Sequence, residues 1–214
     1  MAKINEGILG SVSGKLGPVV VVKRGDTTYI RTAPTYKPDS WSERQVQHRQ
    51  RFKAVSAFCR QHQQTLIRPI WNNLEGRSSG YQRFLKANMP AFGPGGILED
   101  LSLLHVADGT LNLPFKLNVR LAEQDPARVE VSWHNGDFPS KQGLDDELLF
   151  VTVSGNELKG PFVSSIKRAQ AGGILTLQSE ALPCEGLFVF FAAPDRKSYS
   201  PDRFFPLGQA FVRR

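Results

Sequence analysis

Cysteine is scarce in this chain. Cys59 and Cys184 are the only two in 214 residues. One sits in an expected helix and the other in a distant Pro-Cys-Glu-Gly turn, so they supply neither a disulfide framework nor a ligand set and read as two free thiols. Long apolar runs are also missing. None approaches the ~20 residues that a helical membrane span requires. The opening MAKINEGILG lacks the apolar core of about 7–15 residues that marks a secretory signal. The expectation is a cytoplasmic protein with no membrane partner, free in the cell or built into a particle.

Chemistry-bearing patterns are missing as well. The histidines, His48, His62, His105 and His134, stand apart, without the spacing of a metal site. There is no G-x-S-x-G elbow. The string SGKLG invites comparison with a phosphate-binding loop and fails it, because that motif needs four residues between its glycines and Ser or Thr after the lysine. Asp145-Asp146-Glu147 lacks the alternating oxygen ligands and glycine turn of a calcium loop and reads as a solvated loop. The expectation is a protein that is not an enzyme, with no cofactor, no metal and no small-molecule substrate.

Positive charge is abundant, and it is one-sided. Residues 1–100 carry 15 Lys and Arg against seven Asp and Glu, while residues 101–214 carry 12 against 13. The net +7 therefore belongs to the first half. Such asymmetry points to an acidic partner, either nucleic acid or a negative protein face.

Gly7, Gly10, Gly14 and Gly17 punctuate the start. Pro18 then leads into Val19-Val20-Val21-Val22, a β-branched run with strong strand preference. After Lys23-Arg24 and a Gly25-Asp26 turn comes Thr27–Thr32, which completes a β-hairpin. A lone hairpin is marginal in water, and a valine run on an exposed edge invites pairing with another strand. Gly14, Lys15, Gly17, Val19, Val20, Val21, Val22, Tyr29 and Arg31 are the candidate strand-pairing residues. Pro34 and Pro38 give an extended arm. Ser40 and Glu43 then form a capping box for a helix with Val46, Phe52, Val55, Phe58 and Cys59 on one side. Arg44, His48 and Arg51 line one flank of it; Arg49, Lys53 and Arg60 line another. Lys15, Lys23, Arg24, Arg31, Arg44, Arg49, Arg51, Lys53 and Arg60 are candidate phosphate contacts. Pro69 ends or kinks this helix. After the loop Gly76–Gly80, a second helix carries Tyr81, Phe84, Leu85 and Met89 on a core stripe.

Pro90, Gly93, Pro94, Gly95 and Gly96 are the densest breaker cluster and suggest a domain boundary, with residues 1–96 before it and 97–214 after. Beyond it the period turns to two. Runs at 102–106, 115–121, 129–133, 147–153, 161–166, 173–177 and 187–193 read as seven short strands, with Trp133 at the centre of their core. The expected fold class is α+β: an N-terminal β-hairpin plus helices, then an all-β antiparallel sandwich of immunoglobulin or fibronectin-III type.

The motifs also carry a resemblance. Gly14-Lys15, Gly17 and Val19, then Tyr29, Arg31 and Pro34, then Gln45, Gln50, Arg51 and Phe52, with the closing SYSPDRFFPLG, resemble an uncharacterised family of Bacteroidota proteins over nearly the whole length. That resemblance implies no activity. The hairpin and the segment SGYQRFLKAN are also similar in pattern to small structural proteins of phage-like gene sets. The reading is a structural or assembly protein that self-associates or engages other protein subunits. The alternative is a nucleic-acid-binding protein that uses the basic half.

Overall fold

The computed structural model describes residues 2–4, 13–24, 26–35, 41–74, 78–122, 125–136, 143–178, 181 and 184–207, with backbone only at 2–4, 125 and 126. Gly7, Gly10, Gly25, Pro38, Ser40 and the tip of the 76–80 loop lie outside the described residues, and the expected capping box goes with Ser40. The chain divides into two compact units, Met1–Ser42 and Glu43–Arg214.

The first unit is a sheet of four antiparallel strands: β1 (Ala2–Ile4), β2 (Gly14–Leu16), β3 (Val19–Arg24) and β4 (Thr27–Thr32), in the order β1-β4-β3-β2. The hairpin expected from the valine run is β3–β4, with Val19 opposite Thr32 and Arg24 opposite Thr27. The glycine-spaced lead adds a strand that its three residues were too short to announce. Leu16 pairs with Val19 across a two-residue connection. Its first residue, Gly17, has φ +57°, the left-handed geometry such a turn demands.

The second unit begins with α1 (Glu43–Gln61), a helix with Glu43 in its first turn and Arg60 in its last, both favourable to the helix dipole. Its α-helical hydrogen bonding ends before Pro69. A π turn over Gln63–Ile67 follows, in which the amides of Ile67 and Arg68 reach five residues back to the carbonyls of His62 and Gln63. A short 3-10 turn over Trp71–Asn73 leads towards α2 (Gly80–Asn88). A capping box starts α2: the Gln82 amide donates to the Ser79 hydroxyl, and the Ser79 amide donates to the Gln82 side chain. Gly80 is required there, because a Cβ would sit 2.3 Å from Asn72 Oδ1 and 2.7 Å from the Asn72 amide nitrogen. Phe84 is fully buried, and Tyr81, Leu85 and Met89 pack beside it, the core stripe the sequence suggested.

Seven further strands follow among the described residues: β5 (Phe115–Ala122), β6 (Asp125–His134), β7 (Glu147–Ser154), β8 (Glu157–Lys167), β9 (Gly172–Thr176), β10 (Gly186–Ala192) and β11 (Arg203–Pro206). They form two antiparallel sheets, β5-β6-β9 and β11-β10-β7-β8. The run at 102–106 is not a strand: Asp100 caps a 3-10 turn there, its carboxylate accepting from the Ser102 amide at 2.9 Å. The strand at Arg203–Pro206 was not expected.

Two cores hold this unit. Between the sheets, Val129, Val131 and Trp133 meet Leu148, Phe150, Leu187, Val189 and Phe191. On the other face of the larger sheet, Leu149, Val151, Phe188 and Phe190 meet Val55, Cys59, Ile67, Trp71 and Phe84. Strands alternate their side chains, so β7 and β10 feed both cores. Every residue of β10 is buried. The boundary expected near Gly96 is therefore corrected. The segment from α1 to Ala107 has no core separate from the sheet it covers, and the chain divides between Ser42 and Glu43 instead.

Candidate interaction surfaces

The register of the N-terminal sheet fixes which side chains share a face, because directly opposed residues of antiparallel strands point the same way. Leu16 opposes Val19, which opposes Thr32; Val21 opposes Ile30; Lys23 opposes Thr28. These make an apolar face in which Val21 is buried and Leu16 is 59% exposed. On the other face Lys15 opposes Val20, which opposes Arg31; Val22 opposes Tyr29; Arg24 opposes Thr27. Lys15, Arg24 and Arg31 are exposed there, while Val20, Val22 and Tyr29 are half-buried between them. Of the four hairpin cations expected to contact phosphate, three share this face and Lys23 occupies the opposite one.

The strand-pairing residues also sort. Val19, Val20 and Val21 have β2 on one side and β4 on the other, so this stretch of the valine run is interior to the sheet and not an edge. That corrects the expected sticky edge: β2 covers it. Among the described residues the outer strand on this side is Gly14–Leu16 itself.

On α1 the expected apolar side is only partly apolar in its surroundings. Val55, Phe58 and Cys59 are buried, whereas Val46 and Phe52 are 41% and 47% exposed. The first turns of the helix carry their side chains past the core, and Arg44 and His48 are exposed with them. Arg51 has a structural task. Its guanidinium donates from Nε and Nη2 to the Met89 carbonyl at 3.0 and 2.7 Å, capping the end of α2. Arg49, Lys53 and Arg60 remain on the outward stripe of the helix.

The ionisable groups of the second unit bind the fold together. His62 is 5% exposed with its ring edge-on to Phe58, centroids 4.6 Å apart, and burial pushes its pKa down to about 4. Burial pushes the Cys59 thiol up to about 12, which removes its nucleophilic form. His105 Nδ1 lies 3.2 Å from Asp202, whose carboxylate holds the imidazole above its ordinary pKa and also accepts from the Val106 amide. Of the triplet expected to be solvated, Asp145 is exposed while Asp146 is buried, and each of the three acids faces a cation. Asp145 pairs with Lys167 at 3.0 Å, buried Asp146 with Arg168 at 3.2 Å, and Glu147 with Arg196. Asp146 is raised by burial, which outweighs the attraction of Arg168. The Arg168 guanidinium lies 4.6 Å from the centre of the Phe191 ring, which stacks edge-on with Trp133. The Trp133 indole donates to the Arg168 carbonyl at 3.1 Å. Sequence reasoning missed this cluster, since its members come from four separate segments.

Among the described residues no group of three or more His, Cys, Asp or Glu could hold a metal. No described helix is long and apolar enough to cross a membrane. An open cleft of about 460 Å³ runs between the edge strands β8 and β9, lined by Phe150, Phe162, Val163, Ile174 and Thr176 among others.

No protein-family profile matches the chain, and no curated protein does. Among solved structures, the third fibronectin III domain of the human KIAA0343 protein is similar at 18% identity and a TM-score of 0.26, over 47% of this chain and 86% of that one. A likeness at that score fixes neither fold nor function.

Proposed function

We propose that this protein is a non-enzymatic assembly module, in which the N-terminal sheet makes contact with a neighbouring subunit and the second unit serves as a rigid spacer. The observation that carries this reading is the outer strand Gly14–Leu16, paired on one side only among the described residues, with Leu16 exposed on the apolar face. An outer strand offers its free main-chain groups to a strand from another chain, and an apolar side chain beside it adds the area that makes such pairing specific.

The spacer reading rests on strand order. Lettered in sequence, β5 to β11 run A-B-E in one sheet and G-F-C-C′ in the other, an order that supports a sandwich of fibronectin-III type. Trp133, on the second of these strands, packs against Phe191 as the large residue of the core. Sandwiches of this type are used widely for binding and spacing, and the fold alone does not choose between those uses.

Light scattering tests the proposal. The chain should run as a discrete oligomer well above its 23.8 kDa monomer mass. Leu16→Glu, which puts a charge on the contact strand, should shift it to monomer while the melting of the second unit stays unchanged. A wild-type chain that is monomeric at high concentration overturns the reading.

A further inference from the structure

The cationic face of the N-terminal sheet has features that subunit contact does not use. Its cations stand at the ends of a short apolar and aromatic strip. Lys15 and Arg31 flank Val20 across three strands, about 10 Å apart at about 4.8 Å per strand. Tyr29 and Val22 come next, about 7 Å along, and Arg24 lies about 7 Å further on the same face. None of the three cations makes an ion pair with a described residue. Asp26, in the β3–β4 turn, is the only acidic residue among the described positions of Met1–Ser42. Among the described residues, the face therefore carries three cations outside any ion pair around a half-buried ring. On α1, by contrast, Arg51 is tied to the Met89 carbonyl, and the exposed ring beside Arg49 and Lys53, Phe52, stands on a helix rather than on a sheet face.

We infer that the face bearing Lys15, Arg24, Tyr29 and Arg31 binds single-stranded nucleic acid, the cations gripping phosphates while an unpaired base stacks on Tyr29. A sheet face with a partly exposed ring and flanking cations is a platform for unstacked bases, as in sheet-based single-strand binders. A duplex keeps its bases paired and would engage the cations alone. An acidic protein surface would also use the charges without needing the ring. This surface lies on the face opposite Leu16 and does not depend on the assembly reading.

The test titrates the full chain with a 20-nucleotide oligothymidylate, a duplex of the same length and heparin, at several salt concentrations. Three phosphate contacts predict a slope of log affinity against log salt of about −2 for a single strand. Lys15→Ala and Arg31→Ala should each weaken binding several-fold and flatten that slope by about 0.7. Tyr29→Leu should weaken binding about tenfold without changing the slope. Lys23→Ala is the internal control, one position along the same strand from Val22 but on the opposite face, and should change nothing. Arg31→Lys should retain most of the affinity, and circular dichroism of each variant checks that the sheet is intact.

Absence of oligothymidylate binding at low salt overturns the inference. So does a Lys23→Ala effect equal to that of Lys15→Ala. Equal or tighter binding of the duplex or of heparin, with no response to Tyr29→Leu, overturns it in favour of charge attraction alone.

Discussion

His62 is where one residue governs stability. Its neutral ring is buried against Phe58, with a folded-state pKa near 4 against 6.5 for the free group. Above pH 6.5 both folded and unfolded forms are neutral, and the residue contributes no pH dependence. As pH falls from 6.5 towards 4 the unfolded chain takes up a proton that the native chain refuses. Stability then drops by about 1.4 kcal/mol per pH unit, roughly 3 kcal/mol in all, and the loss levels off below about pH 4. His105 works in the opposite sense, since its raised pKa favours the native state on the acid side. His62→Phe, which keeps an aromatic ring and removes the titration, should separate the two. Its urea-unfolding free energy should fall less than that of the wild type between pH 7 and pH 4.5, and parallel profiles would refute the assignment. Asp146 shows why sequence reasoning misjudged such residues. Linear inspection sees three acids in a loop. Only the fold reveals that Arg168, from the end of β8, lies over Phe191 and meets the middle one.

Legibility at the level of elements followed the length and purity of the pattern. β5, β6, β7, β8, β9 and β10 were readable because each holds an alternating or near-continuous run of apolar and β-prone residues bounded by turn residues. β2 was not, with three residues of which the first is a glycine and another glycine following, and β11 was masked by Pro201 just before it and Pro206 at its end. The faces of the N-terminal sheet were hidden for another reason. Which of Lys15, Lys23, Arg24 and Arg31 share a side depends on register across strands, and the run itself does not encode that. β10 is the element most firmly held. Its seven residues are all buried, with Phe188 and Phe190 in one core and Leu187, Val189 and Phe191 in the other. Native-state hydrogen exchange should find its amides opening only with global unfolding, while those of Gly14–Leu16 exchange by local opening orders of magnitude faster. Comparable rates at the two strands would contradict the layered description.

For the whole molecule, the misplaced boundary is the instructive error. The breaker cluster Pro90–Gly96 is a true loop, yet it joins parts of one packed body. The continuous apolar run LFVFFAA was the available signal, because a strand apolar at every position has both faces covered. A chain trimmed to residues 43–214 should keep one cooperative thermal transition near that of the full protein. A chain trimmed to 97–214 exposes Leu149, Val151, Phe188 and Phe190, and should bind a hydrophobic dye and aggregate. Clean folding of 97–214 would restore the boundary the sequence suggested.

The double service of β10 also sets an order of events during synthesis. α1, α2 and the turns between them leave the ribosome well before Gly186–Ala192, about 5–20 residues being added each second. Until that strand arrives, neither the core beneath the helices nor the one between the sheets can close, so the first hundred residues of this unit emerge with their apolar faces uncovered. The nascent chain therefore presents an uncovered apolar surface for some seconds, until a strand encoded well downstream of the helices has been made.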